Sequence, residues 1–84
     1  MNDWRLQGQD RFLSGVELVW AVYSPYRDGW DHDHCCFCWR KFAVSGGDFT
    51  EGYATPDRYH WICRDCFADF RKQFGWTVRE GPQQ

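Results

Sequence analysis

The chain has 84 residues, a formal charge of −2, a 20% share of aromatic side chains and five cysteines. That length supports one small domain, which buries only roughly 60–65% of the surface its unfolded chain exposes and so tends to rely on a metal or on disulfides. A slightly acidic chain lacks the dense cationic surface that tight non-specific nucleic-acid binding requires, and no apolar run is long enough to cross a bilayer.

Read in chain order, Asp3 to Ser14 suggests one or two helical turns closed by Gly15, with Gly8 breaking the pattern. Asp3 and Asp10 stand among the arginines there, so the start does not read as a signal peptide and a soluble cytoplasmic protein is expected. Val16 to Tyr23 predicts a strand, with Val16, Leu18, Trp20 and Val22 sharing one face at period two. Pro25 and Gly29 mark a loop that delivers the run Trp30-Asp31-His32-Asp33-His34-Cys35-Cys36-Phe37-Cys38-Trp39. Arg40 to Val44 suggests a short strand, and Ser45-Gly46-Gly47-Asp48 a loop. Gly52 to Thr55 and Arg58 to Ile62 predict the arms of a hairpin turned at Pro56-Asp57.

The clearest helix runs from Arg64 to Phe74. Phe67, Phe70 and Phe74 recur on one face, and acids lead while bases trail, as the helix dipole favours. Gly75 fits the stop position. Trp76 to Arg79 suggests a closing strand, and Gly81 to Gln84 a disordered tail. The expected fold class is α+β: a small antiparallel sheet and one main C-terminal helix, in a single domain over residues 1–80.

Four of the five cysteines form two Cys-x-x-Cys pairs, Cys35/Cys38 and Cys63/Cys66. In a chain without an export signal that spacing favours a metal over disulfides. Structural zinc takes four ligands in a tetrahedron and thiolates suit it, so one structural Zn2+ on Cys35, Cys38, Cys63 and Cys66 is expected. Iron is the competing metal, because rubredoxin-like sites use the same pairs. A closed four-thiolate shell has no position left to activate a water.

The order of parts, a cysteine knuckle, a loop, a hairpin and a cysteine pair opening a helix, resembles the treble-clef zinc fingers over about Trp30 to Phe74. The strings Trp30-Asp31-His32-Asp33-His34-Cys35, Glu51-Gly52-Tyr53 and Trp61-Ile62-Cys63 are also similar to those of small, uncharacterised bacterial zinc-binding proteins. That likeness implies a stand-alone cytoplasmic protein and supplies no activity.

The Asp31-His32-Asp33-His34 string is similar to a motif of HNH-type phage recombination nucleases, which implies a histidine that activates water. In that family the motif lies on the hairpin between the cysteine pairs. Here it precedes the first pair, and Arg64 to Phe74 carries no histidine or asparagine to hold a second metal. The plainer expectation is that His32 and His34 support the knuckle, with His34 donating to a sulfur or a carbonyl and Asp31 or Asp33 capping a turn. Replacement of a cysteine by His34 in the shell, or a second metal on the two histidines, are the other readings. Cys36 is expected to point away from the zinc. Trp30, Trp39, Tyr53, Tyr59 and Trp61 are expected mostly to pack around the knuckles, and Arg40, Lys41, Arg58, Arg64, Arg71 and Lys72 to form a solvated face.

These features predict a binding module, not an enzyme, with a protein as the expected partner and no membrane. The alternatives are an HNH-like metal-dependent nuclease and a nucleic-acid-binding zinc finger that uses its aromatics and basic cluster.

Overall fold

A computed structural model of the chain describes residues 3–25 and 29–79. The expected tail, Gly81 to Gln84, and the domain limit at residue 80 lie outside the described residues.

A short helix, α1 (Asp10–Leu13), precedes strand β1 (Glu17–Val22). Strands β2 (Asp33–His34), β3 (Lys41–Phe42), β4 (Glu51–Ala54) and β5 (Trp61–Ile62) follow. The main helix α2 (Arg64–Phe74) and strand β6 (Thr77–Val78) complete the fold. Helix α2 has the limits the sequence predicts. Gly75 closes it at φ 68°, donating to the carbonyls of Arg71 at 2.9 Å and Lys72 at 3.3 Å. Only glycine adopts that left-handed geometry without strain.

Four strands form one sheet in the order β5-β4-β1-β6. β4 runs antiparallel to β1, with Val19 opposite Ala54 and Trp20 opposite Tyr53, and β5 runs antiparallel to β4. β6 lies parallel to β1, so the sheet is mixed and not antiparallel throughout as expected. The reason is the connection. A tight turn delivers an antiparallel neighbour, whereas a strand reached through a helix returns in the same direction.

Leu18, Trp20 and Val22 do share one face of β1, but burial along the strand does not alternate with that period. Leu18 and its neighbour Val19 are both buried, while Val22 is 64% exposed. Both faces of the sheet are covered, and a strand buried on both faces shows no simple alternation. On one face Trp20 meets the Tyr53 ring edge-on at 4.9 Å, and Tyr53 stacks on Phe67 of α2 at 3.8 Å. On the other face Trp61 packs against Tyr23 at 5.0 Å and Phe42 at 5.4 Å. Gly52 is required on that face, because a Cβ there would lie 2.6 Å from the Phe42 ring.

Phe42 belongs to a second, two-stranded sheet, in which β2 pairs antiparallel with β3. β2 falls where the sequence suggested only loop. Its Asp33 ties the run to the core: the carboxylate accepts from the Tyr23 hydroxyl at 2.9 Å and from Trp30 Nε1 at 2.8 Å. Burial, reinforced by Asp33, pushes the Tyr23 phenol well above its ordinary range. The segment from Asp3 to Ser14 is helical only over α1, because Gly8 at φ 91° interrupts the chain before it.

One aromatic side chain joins the first cysteine pair to the helix. Phe37, fully buried inside the Cys35–Cys38 loop, stacks on Phe70 at 4.9 Å and meets Phe74 and Trp76 edge-on at 5.4 and 5.7 Å. Phe37→Ala is therefore expected to cost about 3–5 kcal/mol through the cavity it leaves. Asp33→Ala is expected to cost about 1–3 kcal/mol by stranding the Tyr23 hydroxyl. Urea unfolding of each variant checks both values.

Candidate metal centre

The four paired cysteines meet at one point. The Sγ atoms of Cys35, Cys38, Cys63 and Cys66 all lie within 4.8 Å of one another, and those of Cys38 and Cys63 are 3.6 Å apart. Thiolates on a tetrahedral zinc, with bonds of about 2.3 Å, stand about 3.8 Å apart. The separation fits that shell. Cys35, Cys63 and Cys66 are buried and Cys38 is half-buried.

Local hydrogen bonds explain how the chain brings them there. Cys35 directly follows β2, and the turn after it is closed by Cys35 N donating to Arg40 O at 2.8 Å and by Trp39 N donating to Cys35 O at 3.1 Å. The second pair opens α2. Cys63 is the N-cap, and its sulfur accepts from the Cys66 amide at 3.4 Å, the role a serine or aspartate oxygen usually plays. The halves are joined by Cys36 N donating to Trp61 O at 2.9 Å and by Cys63 N donating to Cys35 Sγ at 3.4 Å. Phe37 N also donates to Cys35 Sγ, at 3.5 Å.

The donor set could hold a cation. The Cys35 thiol is pulled far below its ordinary range by hydrogen bonds from the Cys63 and Cys66 thiols, and then by backbone amides. Cys63 and Cys66 are pushed upward, chiefly because each donates to Cys35. The cluster by itself thus favours a thiolate on Cys35 while Cys63 and Cys66 keep their protons. A bound metal deprotonates coordinating thiols outright and removes that conflict.

Arg5 is the site residue that sequence reading missed. Its Nη1 donates to Cys66 Sγ at 3.6 Å and to Asp69 at 2.9 Å. Arg5 and Cys66 are 61 positions apart, so no local pattern could announce the contact. Beside the cysteines a cleft of about 550 Å³ is lined by Trp4, Arg5, Arg40 and Asp65 together with Cys38, Cys63 and Cys66.

The histidines take other places. His32 and His34 are exposed, with rings edge to face at 5.0 Å and His32 Nδ1 2.6 Å from the Asp31 carboxylate. His32 holds that carboxyl below its ordinary range. Among the described residues, the groups bonded to the four sulfurs are backbone amides, Arg5 and the thiols themselves, so the support expected of His34 comes from elsewhere. His60 is half-buried, 3.9 Å from Cys36 Sγ and 4.7 Å from the Phe12 ring, and burial lowers its pKa. Among the described residues, the group of three or more metal-binding side chains close enough to share an ion consists of the four cysteines. Neither His32, His34 nor His60 joins such a group.

Cys36 lies outside that group too. Burial, and then the neighbouring Cys35 charge, push its thiol up to about 12, so it stays protonated at neutral pH. Of the aromatics, Trp61 is buried and Tyr53 and Trp30 are half-buried, whereas Trp39 and Tyr59 are exposed. Arg40 pairs with Asp65 at 3.4 Å, Arg40 and Arg64 both lie 6.0 Å from the Phe49 ring, and Arg71 covers Phe67 at 5.5 Å.

Comparison with protein-family models, curated proteins and solved structures gives no match to this chain, so the reading rests on the geometry of the site.

Cys63→Ser is expected to abolish metal uptake, because it removes a ligand while leaving a hydroxyl that can still cap α2. Cys36→Ala is expected to leave metal content unchanged and to shift stability by less than about 1 kcal/mol, since its methyl group keeps part of the packing. Metal analysis and thermal melting of the two variants check this.

Proposed function

We propose that this chain is a small binding module built on one structural Zn2+, held by Cys35, Cys38, Cys63 and Cys66, and that its partner is another protein. The observation that carries the reading is the convergence of four cysteine sulfurs within 4.8 Å of one another. Four thiolates fill a tetrahedral shell, so the ion shapes the domain and has no vacancy for a substrate or a water. The hairpin and helix that supply the second pair, after a knuckle that supplies the first, keep the treble-clef likeness as part of this reading. None of the five cysteines is in a disulfide, which suits the reducing cytoplasm where we place the protein.

A protein partner is supported by what the domain leaves outside. Trp39 directly follows the first cysteine pair and is 59% exposed, and Trp4 beside the site is 66% exposed. Trp39 also holds φ at 71°, a left-handed conformation that costs a non-glycine residue about 1–2 kcal/mol. Tryptophan is the residue type most enriched where binding energy concentrates. A large indole kept on the surface at a position that glycine would fill without strain is best explained by contact with a partner.

The purified protein is expected to be colourless and to contain about one zinc per chain. A strong chelator should unfold it, because structural zinc contributes more than the net stability of a small domain. A red protein containing iron would replace zinc in this account, and a folded metal-free protein would end it. Trp39→Gly is expected to keep its zinc, to melt no earlier than the wild type and to lose capture of the protein partner from native extract. Unchanged capture by this variant would contradict the assigned surface.

A further inference from the structure

The N-terminal segment is tied to the cysteine cluster through a single guanidinium. Arg5 Nε and Nη2 donate to the two Asp3 carboxylate oxygens at 2.9 and 2.6 Å. Its Nη1 turns the other way, to Asp69 at 2.9 Å and Cys66 Sγ at 3.6 Å. The guanidinium carbon stands 4.5 Å from the Phe70 ring centroid, so its flat face is stacked as well. The backbone is held too: Gln9 Nε2 donates to Arg5 O at 2.6 Å and to Cys36 O at 2.9 Å. Gln9 is buried, and the Arg5 side chain is only 19% exposed. One residue is therefore fixed against the helix that carries the second cysteine pair, while its carbonyl is linked to the first.

This arrangement has a charge logic. Four thiolates around a divalent cation carry about two surplus negative charges. Backbone amides offset part of that excess at Cys35 and Cys63. At Cys66 a full positive charge stands within hydrogen-bonding distance of the sulfur. A charge-assisted donor beside a coordinating sulfur offsets its surplus charge and holds it in place, as outer hydrogen-bond partners of metal ligands do. Asp3 and Asp69 hold the guanidinium in place, and its planar fork meets both acids and the sulfur at once, which a lysine ammonium cannot do.

Resting on the metal reading above, we propose that Arg5 is a positioning residue of the metal centre: its guanidinium, clamped by Asp3 and Asp69, neutralises the Cys66 thiolate and slows loss of the ion. The N-terminal segment is thus part of the metal site and not a separate arm of the fold.

The test compares wild type, Arg5→Gln, Arg5→Lys and Leu6→Ala. Leu6 packs against the core from the same segment, so its truncation loosens the packing without removing the charge. The readouts are the rate of zinc transfer to a chelating dye and the energy of the sulfur-to-metal charge-transfer band of the cobalt-substituted protein. Arg5→Gln is expected to release zinc at least about ten-fold faster, with a shifted cobalt band, in line with the effect of outer partners on metal affinity. Arg5→Lys should fall between it and the wild type, and Leu6→Ala should melt earlier with an unshifted band. Should Arg5→Gln fail to fold, Arg5→Lys decides: wild-type release with a wild-type band overturns the assignment, and faster release with a shifted band supports it. Equal release from wild type and Arg5→Gln, or the same band shift in Leu6→Ala, also overturns it. A wild-type protein that takes up neither zinc nor cobalt would instead sink the metal reading itself.

Discussion

Four sulfur atoms, from two loops far apart in the chain, have to arrive within a few ångströms of one point. The 3.6 Å approach of the Cys38 and Cys63 sulfurs expresses that constraint. Four ionised thiolates at such distances would repel one another unless a cation stood among them. The surrounding elements act to hold the two loops in register. The first loop is fixed by Phe37, sunk among the helix aromatics. The second is fixed by β5 on one side and by the first turn of α2 on the other.

The rest of the fold follows from how little chain is available. A sheet of short strands cannot bury enough apolar surface on one face alone, so both faces are used. Helix α2 covers one, and the hairpin of β2 and β3 covers the other with Phe42 against Trp61. The same hairpin carries Cys35 directly after β2, so the part that fills the second face of the sheet also presents the first cysteine pair. Core packing and ligand placement are therefore one problem. A change in Phe42, Gly52 or Trp61 would act on the cysteines through the hairpin.

What was legible in the sequence is what depends on near neighbours. The cysteine spacing and the repeat of Phe67, Phe70 and Phe74 are local patterns, and helix α2 stands where they put it. The hairpin of β4 and β5 was announced by Pro56-Asp57. What was not legible depends on residues far apart. The parallel placement of β6 follows from the helical crossover and not from any residue in it. β2 is two residues long, held by pairing to β3 and by Asp33 accepting from Tyr23 and Trp30, and no periodicity can mark so short a strand. Arg5 looked like one charge among several, because its sulfur and carboxylate partners in α2 lie at the other end of the chain. His34, beside a ligand in sequence, turned outward, since in a strand adjacent residues point to opposite sides.

A cluster of four cysteines inside a small, aromatic-rich domain is compatible with structural metal binding, and the proposed function assigns the exposed Trp39 and Trp4 beside it to contact with a partner. The central claim is that one zinc ion sits among four sulfurs and nothing else. X-ray absorption at the zinc edge of natively purified protein measures that shell directly. The account predicts four sulfur scatterers at about 2.3 Å and no nitrogen or oxygen neighbour. A shell containing nitrogen or oxygen, or a zinc signal that survives Cys63→Ser unchanged, would contradict it.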